Sequence, residues 1–187
     1  MIFKNIFHLN YLFIFIVTLL TIIGIFALYS AADGNFHPWA IRHSIRYSIF
    51  FILMIAISLI DLKLIYKYAY YFFLLTLLLL ISVEIIGSLG KGAARWIKIF
   101  GISIQPSEII KISIILSLAK YYYSIKFENI GSLKHLFIPI FIIITPFFFV
   151  LIQPDLGTSM SIFLLGVIIM FISGVRIWKF ILGTFAS

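Results

Sequence analysis

The chain has 187 residues, 64% of them hydrophobic and 11% charged, with a mean hydropathy of +1.22. A soluble domain needs far more polar residues for its surface, so the chain reads as an integral membrane protein of the all-α class. The +8 net charge fits the bias of cytoplasmic loops rather than a nucleic-acid footprint, and the absence of cysteine removes disulfides and thiolate metal sites.

A helix needs about 17 to 25 apolar residues to cross a hydrocarbon core of about 30 Å. Such runs lie near 11–31, 41–60, 68–86, 105–123, 136–152 and 157–173, and another begins at Ile177 and reaches Ser187. The predicted architecture is a polytopic transmembrane helix bundle, one membrane domain over 1–187, with six complete helices and the start of a seventh. The first run follows Lys4, lacks a small-residue cleavage site and continues into SAADGNF, so it is expected to be a retained helix rather than a signal peptide. The connections DGNFHP, DLKLIYK, KFENIGSLK and SGVR read as short loops. Tyrosines at the run ends (Tyr66, Tyr68, Tyr70, Tyr71 and Tyr121 to Tyr123) suit an interfacial aromatic belt. Pro139 and Pro146 predict a kinked fifth helix packed inside the bundle, because lipid cannot satisfy a carbonyl freed by proline. An N-terminus in the cytoplasm places Lys4, Lys63, Lys67, Lys120, Lys126, Lys134, Arg176 and Lys179 inside. Arg42, Arg46, Lys91, Arg95 and Lys98 then lie outside.

Residues 87–111, GSLGKGAARWIKIFGISIQPSEIIK, form a charged, glycine-rich island in this hydrocarbon. In Gln105-Pro106-Ser107-Glu108 the proline is preorganised for a helix start, with Gln105 as a cap and Glu108 where a capping-box carboxylate would reach back. Lys111 follows Glu108 by three residues and shares its helix face, which predicts an ion pair. An unpaired charge deep in a bilayer costs roughly 2.5 to 3.5 kcal/mol, so the pair is expected to face the bundle interior, as the wall of a wet cavity or as a structural bridge. The same grammar recurs in Gln153-Pro154-Asp155-Leu156-Gly157-Thr158, where Pro154 is expected to open the sixth helix and Asp155 to sit in its first turn. Lys91, Arg95 and Lys98 surround Trp96 on a segment loosened by Gly90 and Gly92. Cations with an interfacial tryptophan fit anionic lipid headgroups or the pyrophosphate of a lipid-linked substrate, and both readings stand. Glu84 reads as an interface residue or a partner of Arg95 or Lys98. His8, His37, His43 and His135 are scattered without ligand spacing, so no metal site is expected, and a divalent cation has no legible ligands.

Taken as a set, GAARWIKIFGISIQPSEIIK and QPDLGT closely resemble the RodA/FtsW family of cell-shape and division proteins, the SEDS proteins. The resemblance implies a bundle of ten transmembrane helices in the bacterial inner membrane. It implies a peptidoglycan glycosyltransferase that polymerises lipid II, an undecaprenyl-pyrophosphate-linked substrate, beside a class B penicillin-binding protein. No cofactor is implied. Arg95 and Trp96 match the loop signature, Glu108 and Lys111 the polar pair of the central cavity, and Asp155 the Gln-Pro-Asp acid, with Gln105 and Gln153 at the head of each motif. The short N-terminal lead leans towards the RodA branch and cell elongation. The family's catalytic aspartate lies beyond the position of Ser187, so the catalytic residue is unknown here. The chain is expected to be a C-terminally truncated SEDS core that is inactive alone. Two competing expectations are a lipid-linked precursor flippase and a non-catalytic scaffold that recruits a transpeptidase; membrane lipids are partners in every case.

Overall fold

A computed structural model describes residues 10–86, 88–90, 93–99 and 102–176, without the side chains of 84–86, 88–90, 93–95, 98, 99, 102 and 133. The run from Ile177 lies outside the described residues, as do His8, Lys91 and Gly92. Six α-helices are present among them: α1 Tyr11–Ala31, α2 Trp39–Ser58, α3 Leu62–Ile86, α4 Pro106–Tyr123, α5 Leu133–Ile152 and α6 Leu156–Ile172. Four helical stretches, Tyr11–Ala31, Trp39–Ser58, Leu62–Val83 and Lys134–Ile152, are long and apolar enough to cross a membrane. Of the other two, α4 carries Glu108, Lys111 and Lys120 within its 18 residues, and α6 is an apolar helix of 17 residues. No residue of α1 is buried, and large apolar side chains such as Leu12, Phe15, Leu20 and Phe26 stand exposed along it. Such a surface is stable against lipid, and the chain is a multi-pass membrane protein.

The third helix differs from expectation. DLKLIYK, read as a loop, forms the first turns of α3 from Leu62 onwards. Leucine and lysine are good helix formers and the segment has no glycine or proline to stop it. Helix α5 runs through both Pro139 and Pro146, which are fully buried, so protein rather than lipid covers the backbone there.

The fold is all-α as expected, and the charged island between α3 and α4 adds one small feature to it. It forms a small antiparallel sheet of β1 Ser88–Gly90, β2 Ala93–Ile99 and β3 Ile102–Ile104 in the order β1-β2-β3. Ser88 pairs with Trp96 and Gly90 with Ala93, while Ile97 pairs with Ile104 and Ile99 with Ile102. The alternation Ile97-Lys98-Ile99 and Ile102-Ser103-Ile104 has the period of two that suits strands.

The chain divides into two compact units at Leu62/Lys63. In the first, α1 and α2 form a hairpin joined by a 2.7 Å hydrogen bond between the hydroxyls of Thr18 and Tyr47. The turn between them uses Gly34 at φ 80°, a conformation glycine adopts without steric cost. In the second unit, α4 is the centre. Its residues Ser107, Ile110, Ser113, Ile114, Ser117, Leu118 and Tyr121 recur at three- and four-residue steps as one buried stripe. Ile110, Ile114 and Leu118 pack into a core with Leu80 of α3, Ile142, Ile143 and Val150 of α5, and Ile162 and Met170 of α6.

Candidate functional site

The start of α4 sets the geometry. Pro106 occupies the first turn and its missing N–H costs nothing there. Gln105 has the extended backbone of a cap, but its side chain makes no capping hydrogen bond. Glu108 does not reach back as a capping box would. Its Oε1 instead accepts a 2.8 Å hydrogen bond from Lys111 Nζ, an ion pair between residues three apart. The carboxylate still lies in the first turn, where the helix dipole favours it.

The position of this pair differs from the expected interior placement. Glu108 and Lys111 lie on the face of α4 turned away from the Ile110-Ile114-Leu118 stripe, together with exposed Ile112 and Ile115. The glutamate side chain is 57% exposed and that of the lysine 26%. The core of the second unit had already claimed the opposite face, where every third or fourth residue is apolar or a small serine. Among the described residues, the pair is therefore formed but not enclosed.

Asp155 is the N-cap of α6 rather than a member of its first turn, and its Oδ1 accepts from the Thr158 N–H at 3.2 Å. Pro154 precedes the cap and does not open the helix. Gln153 is buried, and its Nε2 donates to the Leu80 carbonyl of α3 at 3.2 Å. That bond fixes the depth of Asp155. Helices α3 and α4 run antiparallel, with Thr76 beside Ser113 and Ala69 beside Ser117, which puts Leu80 close to the level of Glu108. The two carboxylates thus stand at the same end of the second unit, each at the start of its helix.

Arg95 and Lys98 lie on β2, which is next to α4, and their side chains are outside the description, as is that of Glu84. Trp96, also on β2, is 38% exposed. Among the described residues no group of three or more histidines and carboxylates stands together to hold a metal.

Sequence reasoning missed a polar seam between α3 and α4. Thr76 and Ser113 share a buried 2.8 Å hydrogen bond, and Ser117 donates to the Ala69 carbonyl at 3.3 Å. At the far end of α4, Lys120 Nζ donates to the Lys67 carbonyl at 2.9 Å and lies 5.1 and 4.7 Å from the ring centres of Tyr66 and Tyr70. The signal was present in the run Ser113, Ser117, Lys120, which follows one edge of the helix.

The family model FTSW_RODA_SPOVE, described as a cell cycle protein, matches residues 10–186. The chain belongs to the FtsW/RodA/SpoVE family. A "Probable peptidoglycan glycosyltransferase FtsW" from Wigglesworthia glossinidia brevipalpis is 33% identical over 182 residues, covering 94% of this chain and 48% of that protein. The fold superposes on the crystal structure of the Thermus thermophilus rod shape determining protein RodA with a TM-score of 0.79 at 24% identity, covering 92% of this chain and 56% of that one. It also superposes on a solved structure described as "Structural coordination of polymerization and crosslinking by a peptidoglycan synthase complex", with a TM-score of 0.81 at 24% identity over 95% of this chain and 51% of that one. The chain spans about half the length of each of these similar proteins.

Proposed function

We propose that this chain supplies one wall of the substrate cavity of a peptidoglycan glycosyltransferase that polymerises lipid II. The observation that carries the reading is the Glu108–Lys111 pair, held at 2.8 Å on an uncovered face of a membrane helix. Facing lipid, that pair would be costly, so the face is matched to a hydrated space closed by further helices. The similar proteins are about twice as long, which supplies helices for that role. The end of the bundle bearing Glu108 and Asp155 faces the envelope and the N-terminus lies in the cytoplasm, a reading supported by the lysines gathered at the opposite end. The membrane is the bacterial inner membrane.

In the reaction, the acceptor sugar hydroxyl attacks the anomeric carbon of the donor. The bond from that carbon to the pyrophosphate oxygen breaks, and the hydroxyl proton passes to a base. Lys111 contributes a fixed positive field and Glu108 holds its ammonium in place, so the pair polarises the cavity without reorganising during the step. Arg95 and Lys98, on the strand beside α4, are assigned to the departing lipid pyrophosphate. Asp155, Gln105, Gln153 and Trp96 shape the same end of the site. A class B penicillin-binding protein is the proposed partner, supported by the likeness to a structure described as a synthase complex.

The test uses the full-length protein. Glu108→Gln and Lys111→Met should each abolish lipid II polymerisation in detergent while leaving the melting temperature and partner capture unchanged. Polymerisation at the wild-type rate in both variants overturns the reading. Normal transport of the lipid across vesicles with no glycan growth from the wild type identifies a flippase instead.

A further inference from the structure

The Lys120 cluster lies at the end of the second unit opposite Glu108. Twelve residues of helix separate Glu108 from Lys120, about 18 Å of rise, so the two sites are distinct. Lys120 is in the last turn of α4, where an ammonium also favours the helix dipole. Its described partners are a backbone carbonyl and two tyrosine rings, all neutral. Lys67, whose carbonyl holds it, is itself a cation lying 5.4 Å from the Tyr68 ring centre. Among the described residues neither lysine has a carboxylate partner. The Lys120 charge is therefore fixed in place but not neutralised, and Lys67 adds a second cation on the neighbouring turn of α3.

What lies next to the charge indicates its ligand. Tyr66, Tyr70, Leu74 and Leu78 follow one another at four-residue steps along α3, and all are exposed. Tyr123 closes the row edge-on against Tyr66 at 5.5 Å. A cation at the interface heading an exposed apolar track fits a molecule with a phosphate at one end and acyl chains along the other. Neither a soluble phosphate nor an acidic protein loop would use the Leu74 and Leu78 part of that track.

We propose that Lys120 and Lys67, with Tyr66 and Tyr70, form a headgroup site for one anionic phospholipid, its phosphodiester on the ammonium groups and a chain along Tyr70, Leu74 and Leu78. Lys120 is the principal contact because its ammonium is already immobilised, so binding costs little side-chain entropy.

The experiment measures retention of phosphatidylglycerol against phosphatidylcholine by native mass spectrometry of the full-length protein in neutral detergent. Wild type should retain phosphatidylglycerol preferentially. Lys120→Gln keeps a donor for the Lys67 carbonyl but drops the charge, and should weaken that preference about five-fold. Lys67→Gln leaves the anchoring carbonyl in place and should weaken the preference by less than Lys120→Gln does. Lys120→Arg should restore binding, which separates charge from folding. Lys134→Gln, at the same end but outside the cluster, should change nothing. Three results overturn the proposal: no preference in the wild type, equal retention by the wild type and Lys120→Gln, or competition by glycerophosphate as effective as that by the lipid.

Discussion

Helices α5 and α6 pack closely at Gly166, where α6 has no side chain. Gly166 of α6 faces Ile143 of α5, and a Cβ at Gly166 would stand 2.9 Å from Ile143 Cγ2, 2.5 Å from Cδ1 and closer still to Cγ1. Ordinary carbon contact begins at about 3.5 Å, so Gly166→Ala requires a displacement of roughly 1 Å. Ile143 is 2% exposed, and a β-branched side chain in a helix has one strongly preferred rotamer. The two helices must therefore separate, at a cost of about 1 to 3 kcal/mol for overpacking. Alanine recovers up to about 1 kcal/mol of helix propensity, which leaves a net destabilisation. Ile143→Ala removes all three clashing atoms and should alone cost about 2 to 5 kcal/mol. In the double variant the new methyl enters the vacated space, so its loss should fall short of the summed single losses by at least about 1 kcal/mol. Reversible unfolding of the full-length protein in mixed micelles, followed by circular dichroism, measures all four corners of the cycle. Additivity within about 0.5 kcal/mol, or a stabilised Gly166→Ala, refutes the packing argument.

Other expectations follow from single contacts. Thr76→Val and Ser113→Ala in a double-mutant cycle should show a coupling of about 0.6 kcal/mol, the average for hydrogen bonds between membrane helices, and no more than about 1.7 kcal/mol. Asp155→Ala should lower stability by about 0.5 to 2 kcal/mol through loss of its cap on Thr158. Asp155→Asn keeps a capping oxygen, so unchanged melting with reduced polymerisation would isolate the role of its charge. Tyr122→Phe should raise the melting temperature, because the buried Tyr122 hydroxyl has no hydrogen-bond partner among the described residues.

The helices were legible because length and hydropathy alone determine what can cross lipid, and the described spans fall within a few residues of the apolar runs. The exception, the start of α3, was hidden by Asp61, Lys63 and Lys67, which look like a loop to a hydropathy reading but are compatible with helix. The sheet was hidden by scale: β1 and β3 have three residues each, too short for a periodic signal to outweigh glycine and charge. The Glu108–Lys111 pair was readable from its spacing, since neighbours on one helix meet whatever surrounds them. Its facing was not, because the direction of a helix face is decided by which neighbours bury the other side. The serines of α4 chose that side through bonds to Thr76 and Ala69, contacts made across 37 and 48 residues of sequence.

The central claim is that the uncovered face of α4 touches substrate, and photocrosslinking addresses it directly. Ile115, one turn beyond Lys111 on that face and 39% exposed, can be replaced by a benzophenone amino acid in the full-length protein, with Phe141 of α5, 58% exposed, as the comparison. Irradiation with labelled lipid II should give an adduct at 115 and none at 141. Equal labelling at the two positions, or labelling at 141 alone, contradicts the account.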